Sequence, residues 1–292
     1  MNIEFKNPYF PAADPFILLF DNKYYLYFTN EEGDQDGYLV YESNDLINWE
    51  NKGYCLKKEN VMGDKWFWAP EVIYYNNQFY MVYSSEEHLG IAISKSPLGP
   101  FVQQDKKWLI EDKAIDGHFF LDDDGKMYLY YAKLDGTNKI YASMMSEDLV
   151  SINKDSERLL IVAEEEWETK DALVVEGPFV LKYENKYYLT YSANHTRSHH
   201  YAVGYAVSNS PLGPFMKYEN NPILFQNGIF YGLGHHSFTT TKDKKKLIIA
   251  CHSHFSETKF KPRMLCLSYA KFIKDMNNET ILMIEDMNNK ID

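Results

Sequence analysis

One unit recurs five times along this chain, and this repeat constrains the fold more than any other feature of the sequence. Each copy contains a polar anchor residue, an apolar run, a short polar turn and a second run rich in aromatic residues. The anchors are separated by 57, 45, 60 and 59 residues, and they are Asp14, Glu71, Asp116, Glu176 and His235. Recurrence at this spacing indicates repeated supersecondary units rather than unrelated domains.

A repeated loop supports the same interpretation. The hexapeptide SPLGPF occurs at Ser96–Phe101 and again at Ser210–Phe215, an offset of 210 − 96 = 114 residues. Each copy follows a short apolar run that itself follows the aromatic run of its unit. Two unrelated loops rarely share six residues, so these segments indicate equivalent connections in two copies of one unit.

The local patterns within each unit are those of β-hairpins. The turns FDNK, YNNQ, DDDGK and YENK are short and rich in Asn, Asp or Gly, and β-branched or aromatic runs flank them. A third strand follows in each unit, and a fourth is expected before the next anchor. Four antiparallel strands per unit predict an all-β, five-bladed β-propeller around a central channel, forming a single domain over residues 1–292. One or two β-sandwiches would explain the short strands but not the fivefold recurrence.

Charge and hydropathy exclude several classes of function. With 30 Lys plus Arg against 42 Asp plus Glu, the net charge is 30 − 42 = −12, and no basic run offers a surface for nucleic acid. No apolar stretch approaches 18 residues and no export signal precedes the first unit, so we expect no membrane association and a cytoplasmic protein. The odd set Cys55, Cys251 and Cys266 lacks CxxC spacing, which argues against disulfides or structural zinc.

The anchors carry the prediction of a functional site. The first strand of each propeller blade lines the channel, so the five anchors should form a ring with four carboxyl groups and one imidazole. Clustered carboxylates repel one another, and the usual relief is a raised pKa or a bound cation. Hydrolysis of a glycosidic bond needs one protonated and one ionised carboxyl group. Considered singly, Asp14 before Pro15 or Asp116 before Gly117 is typical of a turn, but their shared register favours the functional interpretation.

The sequence resembles glycoside hydrolase family 43, the five-bladed propeller arabinofuranosidases, xylosidases and arabinanases, from about Asn7 to Lys271. The motifs that carry the resemblance are ADPFIL with Asp14, FWAPEV with Trp68, AIDGHFFLDDDGKMYLYY with Asp116, VEGPFVLKYENKYYLTYSAN with Glu176, GLGHHS with His235, and PRM with Arg263.

The resemblance implies an inverting mechanism. Asp14 is then the general base that activates water, Glu176 the general acid, and Asp116 the residue that orients the acid and raises its pKa. We expect the substrate to be bound by Trp68, Glu71, His235 and Arg263. The loop HTRSHH at residues 195–200 should face the pocket.

The same resemblance bears on cofactors. No organic cofactor is expected. In some family members a histidine near the axis holds a central cation through water, so His235 is a candidate for a structural calcium in the channel. Calcium prefers oxygen ligands. No oligomeric state is indicated.

The expected reaction is the release of terminal L-arabinofuranose or xylose from arabinan- or arabinoxylan-type oligosaccharides. An α-L-arabinofuranosidase is favoured over a β-xylosidase, because the chain ends soon after the fifth unit without the β-sandwich found in many family xylosidases. Alternatives are an endo-arabinanase and a non-catalytic carbohydrate-binding propeller. WD-repeat scaffolds and sucrose- or fructan-cleaving propellers carry motifs that are missing here.

Overall fold

A computed structural model describes residues 3–32 and 36–287, and these residues form five antiparallel sheets. Blade I contains β1 (Ala13–Phe20), β2 (Lys23–Thr29), β3 (Gly37–Ser43) and β4 (Trp49–Lys57). Blade II contains β5 (Trp68–Tyr75), β6 (Gln78–Ser85) and β7 (His88–Ser94). Blade III contains β8 (Ala114–Leu121), β9 (Met127–Asp135), β10 (Thr137–Met144) and β11 (Arg158–Ile161). Blade IV contains β12 (Val175–Tyr183), β13 (Lys186–Ala193), β14 (Ala202–Ser208) and β15 (Met216–Lys217). Blade V contains β16 (Gly234–Thr240), β17 (Leu247–Ser253), β18 (Met264–Lys274) and β19 (Thr280–Ile284).

The predicted five-bladed β-propeller is confirmed. Strands follow chain order from the innermost to the outermost position of each blade. In blade II the fourth strand is reduced to a single antiparallel bridge between Ile93 and Val102, directly after the first SPLGPF loop. Short 3₁₀ helices span Lys58–Asn60 and Lys154–Ser156, and no helix in the described part of the chain is long and apolar enough to span a membrane.

The inner hairpins turn where the sequence predicts. Two consecutive residues with positive φ connect β1 to β2, β5 to β6 and β12 to β13, and these pairs are Asp21 and Asn22, Asn76 and Asn77, and Glu184 and Asn185. Positive φ at both central residues matches the right-handed twist of the flanking strands, which explains the Asp and Asn preference at these turns.

The inner strands contact one another in sequence order, and β16 contacts β1 to close the ring. The segment before β1 strengthens this closure by pairing with the start of β18. Tyr9 N donates to Leu265 O at 2.9 Å, and Ala12 N donates to Arg263 O at 3.0 Å. This seam brings Arg263 beside Asp14, although 249 residues separate them in the chain.

Apolar clusters fill the spaces between neighbouring blades and use the aromatic residues that make up 16% of the sequence. Between blades I and II, Tyr38 and Tyr83 are fully buried. The Tyr38 hydroxyl donates to Ser84 O at 3.0 Å, so its polar end is satisfied within the neighbouring blade. Each buried aromatic side chain contributes about 1.5–3 kcal/mol of hydrophobic stabilisation.

A β-bulge interrupts every inner strand at an equivalent point. The ladder registers shift between Ala13 and Phe16, Trp68 and Glu71, Ile115 and His118, Glu176 and Phe179, and Gly234 and Ser237. Within each bulge one residue has positive φ, and these residues are Asp14, Ala69, Asp116, Gly177 and His235. Bulges re-aim side chains, here at one end of the channel. The residues of blades II and IV that are structurally equivalent to Asp14 are therefore Ala69 and Gly177. The sequence repeat aligned Glu71 and Glu176 with Asp14 instead, which is two residues too late in blade II and one too early in blade IV.

Candidate active site

A pocket of about 300 Å³ opens where the five bulges meet. It is lined by Asp14, Glu31, Trp68, Ile115, Asp116, Glu176, His195, Thr196, Arg197, His235, Phe260, Lys261 and Arg263. Six of the predicted site residues are thus brought together from all five blades and the seam, whereas Glu71 is not part of the lining. This volume lies at the lower end of the range for small-molecule sites.

Asp14 is held as a carboxylate by the groups around it. Arg263 Nη1 donates to Asp14 Oδ1 at 2.6 Å, and Nη2 donates to Oδ2 at 3.1 Å. Thr29 Oγ1 donates to Oδ2 at 2.6 Å. Burial by itself would raise the pKa of Asp14, but Arg263 and the nearby His235 and His252 hold it well below its ordinary value. Asp14 is therefore ionised at neutral pH.

Glu176 has the opposite character. Tyr201 Oη donates to its Oε1 at 2.9 Å and Asn138 Nδ2 donates to its Oε2 at 3.1 Å, and both bonds favour the ionised form. Burial and the negative charge of Asp14 outweigh them and raise the pKa of Glu176 to about 7. Glu176 can therefore carry a proton at a pH at which Asp14 does not.

Asp116 is the third carboxyl group of the pocket, and its charge interacts with the charges of both Asp14 and Glu176. Its Oδ2 accepts from Gly177 N at 3.0 Å, next to Glu176 in the chain. Burial, followed by the charges of Glu176 and Asp14, raises the pKa of Asp116 well above its ordinary value. Because Asp116 and Glu176 disfavour each other's ionisation, the pair retains a proton in conditions where an isolated carboxyl group would be ionised.

His235 and Arg263 connect the acidic groups. His235 Nδ1 lies 3.3 Å from Asp14 Oδ1 and 3.8 Å from Asp116 Oδ2. Burial lowers the pKa of His235, so its ring is neutral near pH 7. Arg263 lines the pocket, and its guanidinium also donates to Glu31, with Nε to Oε1 at 3.0 Å. Its fork thus orients Asp14 in addition to facing the pocket.

Trp68 forms an aromatic wall of the pocket. Its ring stacks on Trp66 with centroids 5.9 Å apart and an interplanar angle of 9°. Trp66 is 44% exposed, so the stack extends from the pocket to solvent.

Glu71 lies deeper in the channel than the pocket. The bulge of β5 is at Ala69, so Glu71 comes two residues further along the strand. Its Oε2 is 2.9 Å from His118 Nδ1, and its Oε1 accepts from Phe119 N at 2.8 Å. His118 Nε2 in turn accepts from Val180 N at 2.9 Å. Glu71 therefore ties blade II to blade III, and His118 ties blade III to blade IV.

Three residues that hydrogen-bond the charged groups of the pocket escaped the sequence-based prediction. Glu31 lies two residues after the end of β2, Asn138 lies on β10, and Tyr201 immediately precedes β14. None belongs to the repeated anchor positions, and only the fold brings them to the site. The predicted loop at residues 195–200 does reach the pocket through His195, Thr196 and Arg197.

The pocket residues do not provide the ligand set of a directly coordinated calcium ion. Among residues 3–32 and 36–287 no group of three or more His, Cys, Asp or Glu side chains is arranged to hold a metal. Calcium takes six to eight oxygen ligands. His235 presents Nδ1 to Asp14 and Asp116 instead.

The protein is a five-bladed propeller whose pocket brings together a carboxyl group with a lowered pKa and one with a raised pKa. The family model described as "Glycosyl hydrolases family 43" matches residues 5–275. The chain belongs to this family, and the resemblance in the sequence motifs is confirmed.

Similar proteins of known structure share the whole architecture. A structure titled endo-1,4-beta-xylanase from Bacteroides thetaiotaomicron is 37% identical, with a TM-score of 0.89 and coverage of 95% of each chain. A thermostable family-43 glycoside hydrolase is 38% identical, with a TM-score of 0.88 and coverage of 98% of each chain.

Among curated proteins, a relative from Aspergillus niger named beta-D-galactofuranosidase is 25% identical over 295 residues, covering 93% of this chain and 83% of the relative. A xylosidase/arabinosidase from Bacteroides ovatus is 26% identical over 251 residues, covering 70% of this chain and 75% of the relative. The names of the relatives thus agree on glycoside hydrolysis and differ in the sugar.

Proposed function

We propose that this protein is an inverting glycoside hydrolase that releases a terminal pentose, L-arabinofuranose or xylose, from plant-type oligosaccharides. Asp14 is the general base, Glu176 the general acid and Asp116 the residue that raises the pKa of the acid. The observation that carries the proposal is the opposite shift of two carboxyl groups in one pocket. Burial raises the pKa of Glu176 to about 7, whereas Arg263 holds that of Asp14 far lower.

In the proposed reaction, Asp14 removes a proton from water as the water attacks the anomeric carbon. Glu176 donates its proton to the glycosidic oxygen, and the bond to the leaving group breaks. The cycle ends with Asp14 protonated and Glu176 ionised, and exchange with solvent restores both. Asp116 favours the protonated form of Glu176 before each turnover, and Arg263 favours the ionised form of Asp14. Enzymes of the family generally need no cofactor, and none enters these steps.

The shape of the pocket supports action on a chain end. Residues 195–197, Phe260, Lys261 and Arg263 line the pocket beside the proposed catalytic carboxyl groups, and the volume of about 300 Å³ suits a small sugar unit. The relatives named xylosidase/arabinosidase support a pentose. The endo-xylanase title of one similar structure makes internal cleavage of xylan the outcome to test against this proposal.

A panel of aryl glycosides tests the proposed substrate. It should contain α-L-arabinofuranoside, β-D-xyloside and β-D-galactofuranoside, with ¹H NMR of the first-formed sugar in each active case. The proposal expects turnover of a pentoside and release of the inverted anomer. Turnover of the galactofuranoside alone would show that the released sugar is not a pentose. A first-formed sugar with retained anomeric configuration would overturn the inverting mechanism. Products from a reduced xylo- or arabino-oligosaccharide then separate removal of terminal residues from internal cleavage.

A further inference from the structure

In every blade the N–H of the bulge residue is hydrogen-bonded to an acceptor in the neighbouring blade, and in three of the five blades that acceptor is an equivalent hydroxyl group. Opposite each bulge, on the second strand, the ladder pairs place equivalent residues, namely Thr29, Ser84, Ala132, Ser192 and His252. Three of these positions carry a hydroxyl that accepts the N–H of the bulge residue in the next blade. The bonds are Ala69 N to Thr29 Oγ1 at 2.8 Å, Asp116 N to Ser84 Oγ at 3.0 Å, and His235 N to Ser192 Oγ at 2.8 Å.

The remaining two positions depart from this pattern, and both departures involve a catalytic carboxyl group. Ala132 has no acceptor, and the Asp116 carboxylate takes its place by accepting from Gly177 N. In blade V the position is His252, whose Nδ1 lies 3.3 Å from Asp14 N. An imidazole thus stands where two other blades have serine and one has threonine.

His252 contacts the ring of Tyr201 in addition to Asp14, and a hydroxyl group at the same position could not make this ring contact. Its Nδ1 is also 3.3 Å from Asp14 Oδ1, so the ring contacts both the backbone and the carboxylate of the proposed base. Its face is parallel to the ring of Tyr201, with centroids 5.7 Å apart and an interplanar angle of 8°. Tyr201 donates to Glu176. The fully buried ring of His252 therefore packs between Asp14, the proposed base, and Tyr201, which donates a hydrogen bond to the proposed acid Glu176.

The charges around His252 favour a neutral ring. The titratable groups that face it are Asp14, Tyr201, His235 and Arg263. Burial, Arg263 and His235 lower the pKa of His252 to about 3, although Asp14 opposes this. A neutral imidazole contacts Asp14 without taking its proton, so a role in proton transfer is not indicated.

We propose that His252 is a positioning residue that fixes the Asp14 carboxylate relative to Glu176. The edge of its ring contacts Asp14, and its face packs on Tyr201, which donates a hydrogen bond to Glu176. The inference rests on the proposed roles of Asp14 and Glu176. It extends them to a residue on β17 that makes no contact with the pocket surface.

The test is His252→Ser, because serine restores the backbone acceptor found in blades II and IV but removes the contacts with the carboxylate and with Tyr201. The expected result is a fall in kcat of about 10-fold or more with KM changed much less, since misplaced catalytic groups affect the chemical step. A hydrogen bond with the neutral ring of His252 is also one of the interactions that lower the pKa of Asp14. Its loss raises that pKa, so the acidic limb of kcat/KM should move to higher pH.

The matched control is Ser192→Ala, which removes the equivalent hydroxyl in blade IV. It should lower thermal stability and leave the acidic limb in place. If His252→Ser folds poorly, His252→Asn carries the same test with a polar side chain closer in size.

Two outcomes overturn the inference. One is an unmoved acidic limb with kcat within about 2-fold of the wild type, and the other is a shift of equal size in Ser192→Ala. Failure of the proposed function is recognised separately, because Asp14→Asn would then keep its activity.

Discussion

Two layers of buried polar residues occupy the same inner strands of the propeller, and they differ in what surrounds their carboxyl groups. In the pocket layer, Glu176 accepts two hydrogen bonds but faces the negative charge of Asp14. In the layer beneath, Glu71 also accepts two hydrogen bonds but has His118 as its neighbour. Neighbouring charge and access to the pocket, rather than the number of hydrogen bonds, separate the proposed catalytic carboxyl group of Glu176 from the structural one of Glu71.

The largest effect should come from neutralising a pocket carboxyl group without changing its shape. Glu176→Gln and Asp14→Asn should each lower kcat/KM on a natural oligosaccharide by about 10³-fold or more, because proton transfer is lost. Glu176→Gln should keep its stability, because the raised pKa of Glu176 shows that the fold disfavours its charge, whereas Asp14→Asn weakens the buried pair with Arg263 and should lower the unfolding temperature. Circular dichroism at the assay temperature should show that both variants are folded. Glu50→Gln, at a side chain that is 72% exposed, is the control and should match the wild type. Full activity in either pocket variant would remove that residue from the mechanism.

The layer beneath should respond in stability rather than in catalysis. Glu71→Ala leaves the His118 Nδ1–H and the Phe119 N–H buried without an acceptor, which should lower the free energy of unfolding by about 2–4 kcal/mol. Denaturant titration measures this loss, and kcat of the folded fraction should change only a few fold. Lost catalysis with unchanged stability would instead assign Glu71 to the pocket layer.

The buried histidines of the two layers should make the protein sensitive to acid. Burial lowers the pKa of His236 to about 3, while an unfolded chain binds a proton near its ordinary value of 6.5. The unfolded state therefore binds more protons as the pH falls below that value, and stability is lost. His236 alone should account for about 2 kcal/mol between about pH 8 and pH 5.

Denaturant titrations at several pH values check this slope. His236→Asn should reduce the pH dependence by that amount, and His195→Asn, at an exposed loop position, should leave it unchanged. An unaltered slope in His236→Asn would show that His236 binds its proton equally well in the folded and unfolded states.

The smallest effect is expected from removing one hydrogen bond that lowers the pKa of Glu176. Asn138 donates to Glu176 and so favours the ionised form. Asn138→Ala should raise the pKa of Glu176, keep it protonated to higher pH and move the basic limb of kcat/KM upward by about one pH unit. Thr137→Ala on the same strand is the control. A downward movement would contradict the role of Glu176 as the acid.

The fold could be predicted because its information is local and repeated. Turns such as Asp21–Asn22 and Glu184–Asn185 specify hairpins by their own conformational preferences. Recurrence then gives the number of blades. The approach of Asp14, Asp116 and Glu176 follows from that number, since inner strands meet at the axis.

The layer of Glu71 and the role of His252 could not be predicted in the same way. Glu71 misses the pocket because the bulge in β5 falls at Ala69, and no residue type at that position signals it. His252 matters because it pairs opposite Gly234 and stacks on Tyr201, and these contacts join separate parts of the chain. The pocket wall at residues 260–263 likewise depends on the seam with the first residues of the chain.

The most direct test of the divided roles compares leaving groups. The dinitrophenolate group of a dinitrophenyl glycoside leaves without being protonated, whereas the alkoxide of an alkyl glycoside needs a proton from a general acid. The account predicts that Glu176→Ala keeps most of its activity on the dinitrophenyl substrate and loses the alkyl one, whereas Asp14→Ala loses both equally. Equal losses on both substrates in Glu176→Ala, or selective rescue of Asp14→Ala by the better leaving group, would contradict it.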